Sequence, residues 1–364
     1  MGTQTQAKQK KIIIICPYPV DVAPSQRFRF EQYFSRLEDA GYSYTVRPFL
    51  SRETHAILYT PGNAWRKAVG VLRGYLTRVG LIFSLSRVDF VFIHREATPI
   101  GPPVIEWIIS NIWRKKIVYD FDDAIWLSNT SGVNRLATQL KWHRKVGSIC
   151  RWSHKISVGN QYLGEYAARF SHQVVLNPTT IETRQHYCQI KNQHDTPLVI
   201  GWTGSQSTIF YLDRLLPVLD QLAQHHTFEF LVISNQPPTF SRNYLRFIPW
   251  ESATEVDNIL RMHIGLMPLT DDRWAKGKCG LKALQYLALG IPALVSPVGV
   301  NTQIVEHGVE GYHCATEEDW YQSLEELLAD SAKRARMGEA GRKKVVDHYS
   351  VQSNTDNFLS LFNP

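Results

Sequence analysis

Short apolar runs alternate with amphipathic stretches along almost the whole chain. Residues 11–17 read as a first strand. A helix follows from an N-cap at Ser25 to Gly41, and residues 44–48 resume as strand, which makes a βαβ opening. Further strands are predicted over 88–94, 116–121, 155–158 and 174–176. Residues 181–196 are polar and read as a linker. The pattern then restarts, with strands over 198–202, 228–233, 244–247, 264–267 and 293–296 and a helix from about Thr208. Residues 342–362 read as partly helical, and residues 1–10 are a polar tail with no predicted element.

Two segments depart from plain strand–helix alternation. In the first, Trp65, Val69, Leu72, Leu76, Val79 and Phe83 recur at helical steps, and Arg66, Lys67, Arg73 and Arg78 occupy much of the remainder. One reading packs the apolar stripe on the sheet, as every α/β domain needs, and is slightly favoured. The other lays a basic amphipathic helix on an anionic membrane. In the second segment, 276–301, Leu281, Leu284 and Ala288 form one helical stripe, Gly290 sits where a C′ glycine belongs, and Pro292 blocks continuation. Lys278 lies just before that helix. Lys282 and Gln285 share a second face, where lysines and helix-start amides suit a diphosphate with an attached ribose; the other reading of the pattern is an ordinary amphipathic surface helix.

At 364 residues the chain suits two domains of ordinary size. The net charge of +7 is uneven. Residues 1–180 hold 24 Lys and Arg against 12 Asp and Glu, giving +12; the remainder holds 16 against 21, giving −5. No dense basic run or nucleic-acid-binding motif accompanies the excess, so a membrane lipid or a phosphorylated acceptor fits better than nucleic acid. Five scattered cysteines without a C-x-x-C pair indicate reduced thiols and a cytoplasmic compartment. The run 12–16 is too short for a signal-peptide core or a membrane span, and Gln6 breaks the myristoylation pattern.

Candidate chemistry gathers at predicted strand ends. Arg27 and Arg29 follow the first strand, His94 ends the third, and Asp120-Phe121-Asp122-Asp123 ends the fourth, with Asp120 and Asp122 on one face by strand alternation. A D-x-D pair can hold a divalent cation. In the second half, Thr203-Gly204-Ser205 follows a strand, and Trp250 follows another. Trp250 has two readings, a base-stacking residue or core.

The stretch ALQYLALGIPALVSPVGVN, together with the TGS turn, FIPWESATEV and NTQIVEHGVEGYHC, resembles the retaining family 4 (group 1) glycosyltransferases. The resemblance covers nearly the whole chain. It implies an α/β GT-B fold: two Rossmann-like domains facing each other across a cleft, with a C-terminal helix returning to the N-terminal domain. The implied boundaries are 1–180 for the acceptor domain, 181–196 for the linker, 197–345 for the nucleotide-sugar domain and 346–364 for the returning helix.

The family's E-x7-E signature is varied here, with Gly277 at the first glutamate and Gln285 at the second. Glutamine can still bond ribose hydroxyls, whereas Gly277 cannot replace a carboxylate. The resemblance implies a nucleoside-diphosphate-sugar donor held by Gly204, Ser205, Trp250, Lys278, Lys282 and Gln285, with Arg27 at the facing edge. Asp122 and His94 stand on the acceptor side, Asp122 at or beside a place where the family carries a histidine. No metal or cofactor is implied, because GT-B enzymes neutralise the diphosphate with basic side chains and amides. The acceptor is a glycan or lipid-linked molecule, and the location is cytoplasmic, extending to the inner face of the membrane. A GT-B sugar-nucleotide epimerase or a non-catalytic nucleotide-sugar-binding protein are the alternatives.

Overall fold

In the computed structural model, which describes residues 9–58, 60, 62–127 and 142–363, the alternation becomes two parallel sheets. The first contains β1 (Lys10–Cys16), β2 (Tyr42–Pro48), β3 (Phe90–His94), β4 (Lys116–Phe121), β5 (Lys155–Val158) and β6 (Val174–Leu176), in the order β2-β1-β3-β4-β5-β6. Ile12 to Ile15 are all buried, so this central strand is a continuous apolar run instead of an alternating one. Ile14 pairs with Val46 on one side and Phe92 on the other.

The second sheet contains β7 (Val199–Gly204), β8 (Glu229–Ser234), β9 (Leu245–Pro249), β10 (Ile264–Met267), β11 (Ala293–Val295) and β12 (Gly311–His313), in the order β12-β11-β10-β7-β8-β9. Read from β9, this is the 3-2-1-4-5-6 order of a doubly wound fold, whose strand order reverses between β7 and β10. The first sheet reverses between β1 and β3. Crevices beyond the carboxyl ends of such strand pairs are the natural ligand positions. Strand β12 was not anticipated; it is three residues long at the sheet edge, too short to carry a period.

The chain divides into two compact units, Met1–Pro178 with Thr355–Pro364, and Thr179–Asn354. The segment 181–196, read from its polarity as a linker, belongs to the second unit. Ile181 and Tyr187 are buried, and Arg342 donates to the carbonyl oxygens of Thr183 (2.9 Å) and Tyr187 (2.5 Å). The chain re-enters the first unit at Thr355. There Phe358 stacks on Tyr33 with ring centroids 4.2 Å apart, and Phe362 meets Phe90 at 5.8 Å.

The helix expected from Ser25 to Gly41 is instead broken into Pro24–Arg27, a 3-10 turn Glu31–Tyr33 and Phe34–Asp39, with Ala23 as the cap. Phe28, Arg29 and Phe30 are all buried. Three consecutive inward side chains would fan over more than half a helical circumference, so a regular helix cannot satisfy them. The stripe Trp65 to Phe83 also differs from the favoured expectation. The helix Ala64–Ile82 forms, but every stripe residue is exposed.

Candidate functional site

In the second unit, Gly204 ends β7 and the exposed Ser205 caps the 3-10 stretch Gln206–Arg214 in a capping box with Thr208. From the other side of the reversal point, the helix Leu281–Ala288 starts at Gly280. Gly280 has φ +71°, a backbone conformation that favours glycine, and a Cβ there would also have to displace Ile304 Cδ1 at 2.1 Å. The helix ends as its sequence predicts. Gly290 has φ +69°, its N–H donates to Leu287 O, and the Ile291 N–H donates to Tyr286 O, which is a Schellman closure.

This helix carries Lys282 across to β7. Lys282 Nζ lies 5.5 Å from the Trp202 ring centroid. A Cβ on Gly204 would meet Lys282 Cε at 3.0 Å and Trp202 Cη2 at 2.4 Å. The absence of a side chain at Gly204 is thus what lets the lysine stem and the indole reach the strand end. Lys278 is half-buried two residues before Gly280. Burial would raise the Asp272 carboxyl, but Thr270, the N–H groups of Ala275 and Trp274, and the charge of Lys278 hold it below the ordinary range.

Gln285 and Trp250 are joined through two residues that the sequence did not single out. Gln285 Nε2 donates to Tyr187 Oη at 2.6 Å, and Tyr187 Oη donates to Glu255 Oε2 at 3.1 Å. Trp250 Nε1 donates to Glu255 Oε1 at 2.9 Å. Gln285, Tyr187 and Glu255 are buried and Trp250 is half-buried. Glu255 orients the tryptophan and, through Tyr187, the glutamine. A glutamate in an acid-rich segment and a tyrosine in a supposed linker carry no sequence signal that would have paired them.

In the first unit the strand ends are closed by arginines. Asp120 is wholly buried. It is ion-paired with Arg29, accepts from Ser157 Oγ at 2.6 Å, and accepts from His94 Nδ1 at 2.8 Å. Burial opposes its ionisation, but Arg29 and His94 outweigh that and hold the carboxyl far below the usual range. His94 is likewise wholly buried, and its Nε2 has no hydrogen-bond partner among the described residues.

Asp122 does not share Asp120's surroundings, because β4 ends at Phe121 and strand alternation stops there. Its Oδ1 accepts from Arg95 Nε at 3.0 Å and Nη2 at 2.8 Å, while Arg95 also reaches Asp123 Oδ2 at 2.6 Å. Arg95 has φ +62°, an uncommon conformation for a side-chain-bearing residue. Burial alone would lower its pKa, but the two aspartates hold it firmly charged. Arg27 lies 3.7 Å from Asp21. The cations that close this edge are Arg29, which the sequence placed at the strand end beside Arg27, and Arg95, which it did not single out.

Comparison with known proteins bears on the fold and on the second unit's sequence. Residues 241–344 match the family described as Glycosyl transferases group 1. Over 97% of its length the chain superposes on 98% of a sucrose-phosphate synthase from Thermosynechococcus elongatus, with a TM-score of 0.70 at 13% identity. The fold is GT-B. A second GT-B structure, Anabaena HepE in complex with UDP and glucose, matches 96% of this chain and 98% of its own with a TM-score of 0.60 at 12% identity. Spore coat protein SA of Bacillus subtilis is 29% identical over 81 residues. That match spans 21% of this chain and 22% of the relative. The group 1 stretch contains Trp250, Lys278, Lys282 and Gln285, whereas Gly204 and Ser205 precede it.

Proposed function

We propose that this protein is a glycosyltransferase that moves a sugar from a nucleoside-diphosphate sugar to a glycan or lipid-linked acceptor, with retention of anomeric configuration, in surface-polysaccharide or glycoconjugate synthesis. The observation that carries the reading is Lys282 laid beside Gly204 at the β7/β10 reversal, on a helix inside the group 1 stretch. A lysine beside a strand end without a side chain can approach a diphosphate closely and stabilise the charge that grows on it as the sugar leaves. Lys278 adds a second cation before the same helix. Gln285, whose Nε2 is engaged by Tyr187, turns its Oε1 to a ribose hydroxyl, and Trp250, held by Glu255, offers its ring to the base.

In the first unit, Asp122 acts on the acceptor side, and the wholly buried His94, predicted beside it, supports the strand end without touching the acceptor. Asp122 orients the acceptor hydroxyl, with Arg95 fixing the carboxylate. His94 is set by Asp120. Donor activation uses these cations and no metal ion. The protein works peripherally at the inner face of an anionic membrane, where a lipid-linked acceptor is presented.

Calorimetric titration with UDP, GDP, ADP, CDP and their sugars tests the donor side, UDP first because the Anabaena neighbour was solved with it. Tight binding of one diphosphate and weak binding of its nucleoside is the expected result. Equal binding of both would remove the diphosphate site. Product NMR fixes the anomer, and activity that survives EDTA is expected.

A further inference from the structure

The helix Ala64–Ile82 is mounted inside out. Its buried residues are Gly70, Gly74, Arg78 and Leu81. A Cβ at Gly70 would meet Thr54 Cγ2 at 2.3 Å, and one at Gly74 would meet Phe49 Cζ at 2.7 Å, so the glycines let the helix backbone press onto the unit. Arg78 locks this face by donating to the carbonyl oxygens of Ala97 (2.7 Å), Arg47 (2.9 Å) and Cys16 (3.0 Å). The residues left outside are the apolar ones. Trp65 and Phe83, at the two ends of the stripe, are 79% and 78% exposed, with Leu72 and Leu76 at 60% and 63% between them.

The patch continues onto the neighbouring segment, because Tyr75 Oη donates to Ile100 O at 2.7 Å and Ile100, Val104 and Trp107 are exposed as well. Apolar area of this extent on one face marks an interaction surface. Charge selects the partner. Between Glu53 and Asp89 the chain has no acidic residue, while Arg66, Lys67, Arg73, Arg78 and Arg87 fall within that span. Arg66 and Arg73 are exposed beside the stripe. Lys115 donates to Val88 O at 2.9 Å, bringing the Arg114–Lys116 run to the Arg87 end of the helix.

We infer that this face is the membrane-docking surface. The helix lies flat on an anionic bilayer, with Trp65 and Phe83, about 27 Å apart along the axis, seated at the headgroup boundary and the arginines on lipid phosphates. The inference deepens the peripheral reading above and rests on it, but it is independent of the donor chemistry, which belongs to the other unit.

The test is cosedimentation of the full chain with vesicles of phosphatidylcholine alone and of phosphatidylcholine with about one-third phosphatidylglycerol, at low and high salt. The wild type is expected to bind the anionic vesicles at least about tenfold more tightly and to release at high salt. Leu72→Ser with Leu76→Ser should cost at least about tenfold. Arg66→Gln with Arg73→Gln should cost about fivefold per charge. These side chains are exposed, so melting temperature and UDP affinity should not move. As a readout that needs no surface charge change, Trp65 fluorescence, taken as the difference from Trp65→Phe, should be quenched by brominated lipid. Anionic binding that both double variants leave intact would overturn this surface while leaving the peripheral reading standing. Absence of vesicle binding would overturn both. A wild-type dimer in sedimentation velocity that Leu72→Ser with Leu76→Ser dissociates, without vesicle binding, would assign the face to a second copy of the chain and overturn the membrane.

Discussion

The two units present different chemistry at equivalent strand ends. In the first, carboxylates and guanidiniums are already matched: Arg29 with Asp120, and Arg95 with Asp122 and Asp123. In the second, the corresponding edge carries lysines, with Lys282 along Trp202 and Gly204 and Lys278, ahead of the same helix, near the Asp272 carboxylate. The choice of cation follows the task. A guanidinium is a rigid fork suited to a permanent carboxylate partner, and an ammonium is a mobile point charge suited to an anion that comes and goes. Under the proposed function, the first edge holds groups in place and the second receives the diphosphate.

The sharpest way to break that contrast is to remove Arg29. Arg29→Ala leaves Asp120 buried without its main counter-charge and should destabilise the protein by about 3–5 kcal/mol in denaturant unfolding. A loss under about 1 kcal/mol would show that the pair is not structural. The pH dependence gives a second check. The folded Asp120 carboxyl sits well below the unfolded value of about 3.9, so in acid the unfolded state binds more protons. Its contribution is complete above that value and is lost as pH falls through the lower folded pKa. Arg29→Ala should therefore flatten the acid limb of the stability curve.

Asp122 tests the same edge for function. Asp122→Asn keeps volume and some hydrogen bonding but removes the charge that Arg95 holds. Transfer should slow by about 10²-fold, roughly 2.7 kcal/mol, with nucleotide affinity within about threefold. A fall in melting temperature with unchanged activity of the folded fraction would reduce Asp122 to a partner of Arg95. Loss of donor affinity together with rescue by Mn²⁺ or Mg²⁺ would assign it to a metal instead.

In the second unit, Lys282→Ala and Lys278→Ala should each weaken nucleoside-diphosphate binding by about 1–3 kcal/mol and leave the nucleoside nearly untouched. Equal losses for diphosphate and nucleoside would contradict a phosphate role. If the variants unfolded as readily as Arg29→Ala, the contrast between the edges would collapse.

How much of this was legible in the sequence depends on range. Eleven of the twelve described strands, the Gly290 closure and the Lys282 face are local patterns of period, cap and spacing, and they read directly from the residues. Arg95 and Tyr187, and Glu255 toward Tyr187, act through partners between 27 and 98 positions away, and nothing local pairs them; Arg29 was placed at a strand end by the sequence, but its partner Asp120 lies 91 positions on. The helix Ala64–Ile82 shows a subtler gap. Its period was plain, but period does not say which face turns inward. That was decided by Gly70, Gly74 and Arg78 finding Thr54, Phe49 and three carbonyl oxygens.

The smallest expected effect concerns Gln285, where the sequence resemblance places the second glutamate of the family. The hydrogen-bond directions explain the departure. Tyr187 has a single hydroxyl proton, and Glu255 Oε2 accepts it at 3.1 Å. The Tyr187 oxygen must then face a donor, which Gln285 Nε2 supplies at 2.6 Å. A glutamate at 285 brings only acceptor oxygens when ionised, so Tyr187 would have two carboxylates competing for one proton, and the buried Glu255 would gain a like-charged neighbour. Gln285→Glu should therefore cost about 1–2 kcal/mol of stability. Glu255→Gln should relieve part of that cost in the double variant, because an amide at 255 removes the second charge. Chemical denaturation of the two single variants and the double variant measures the coupling directly. A neutral Gln285→Glu, or additive losses in the pair, would mean that the chain through Tyr187 does not set the residue at 285.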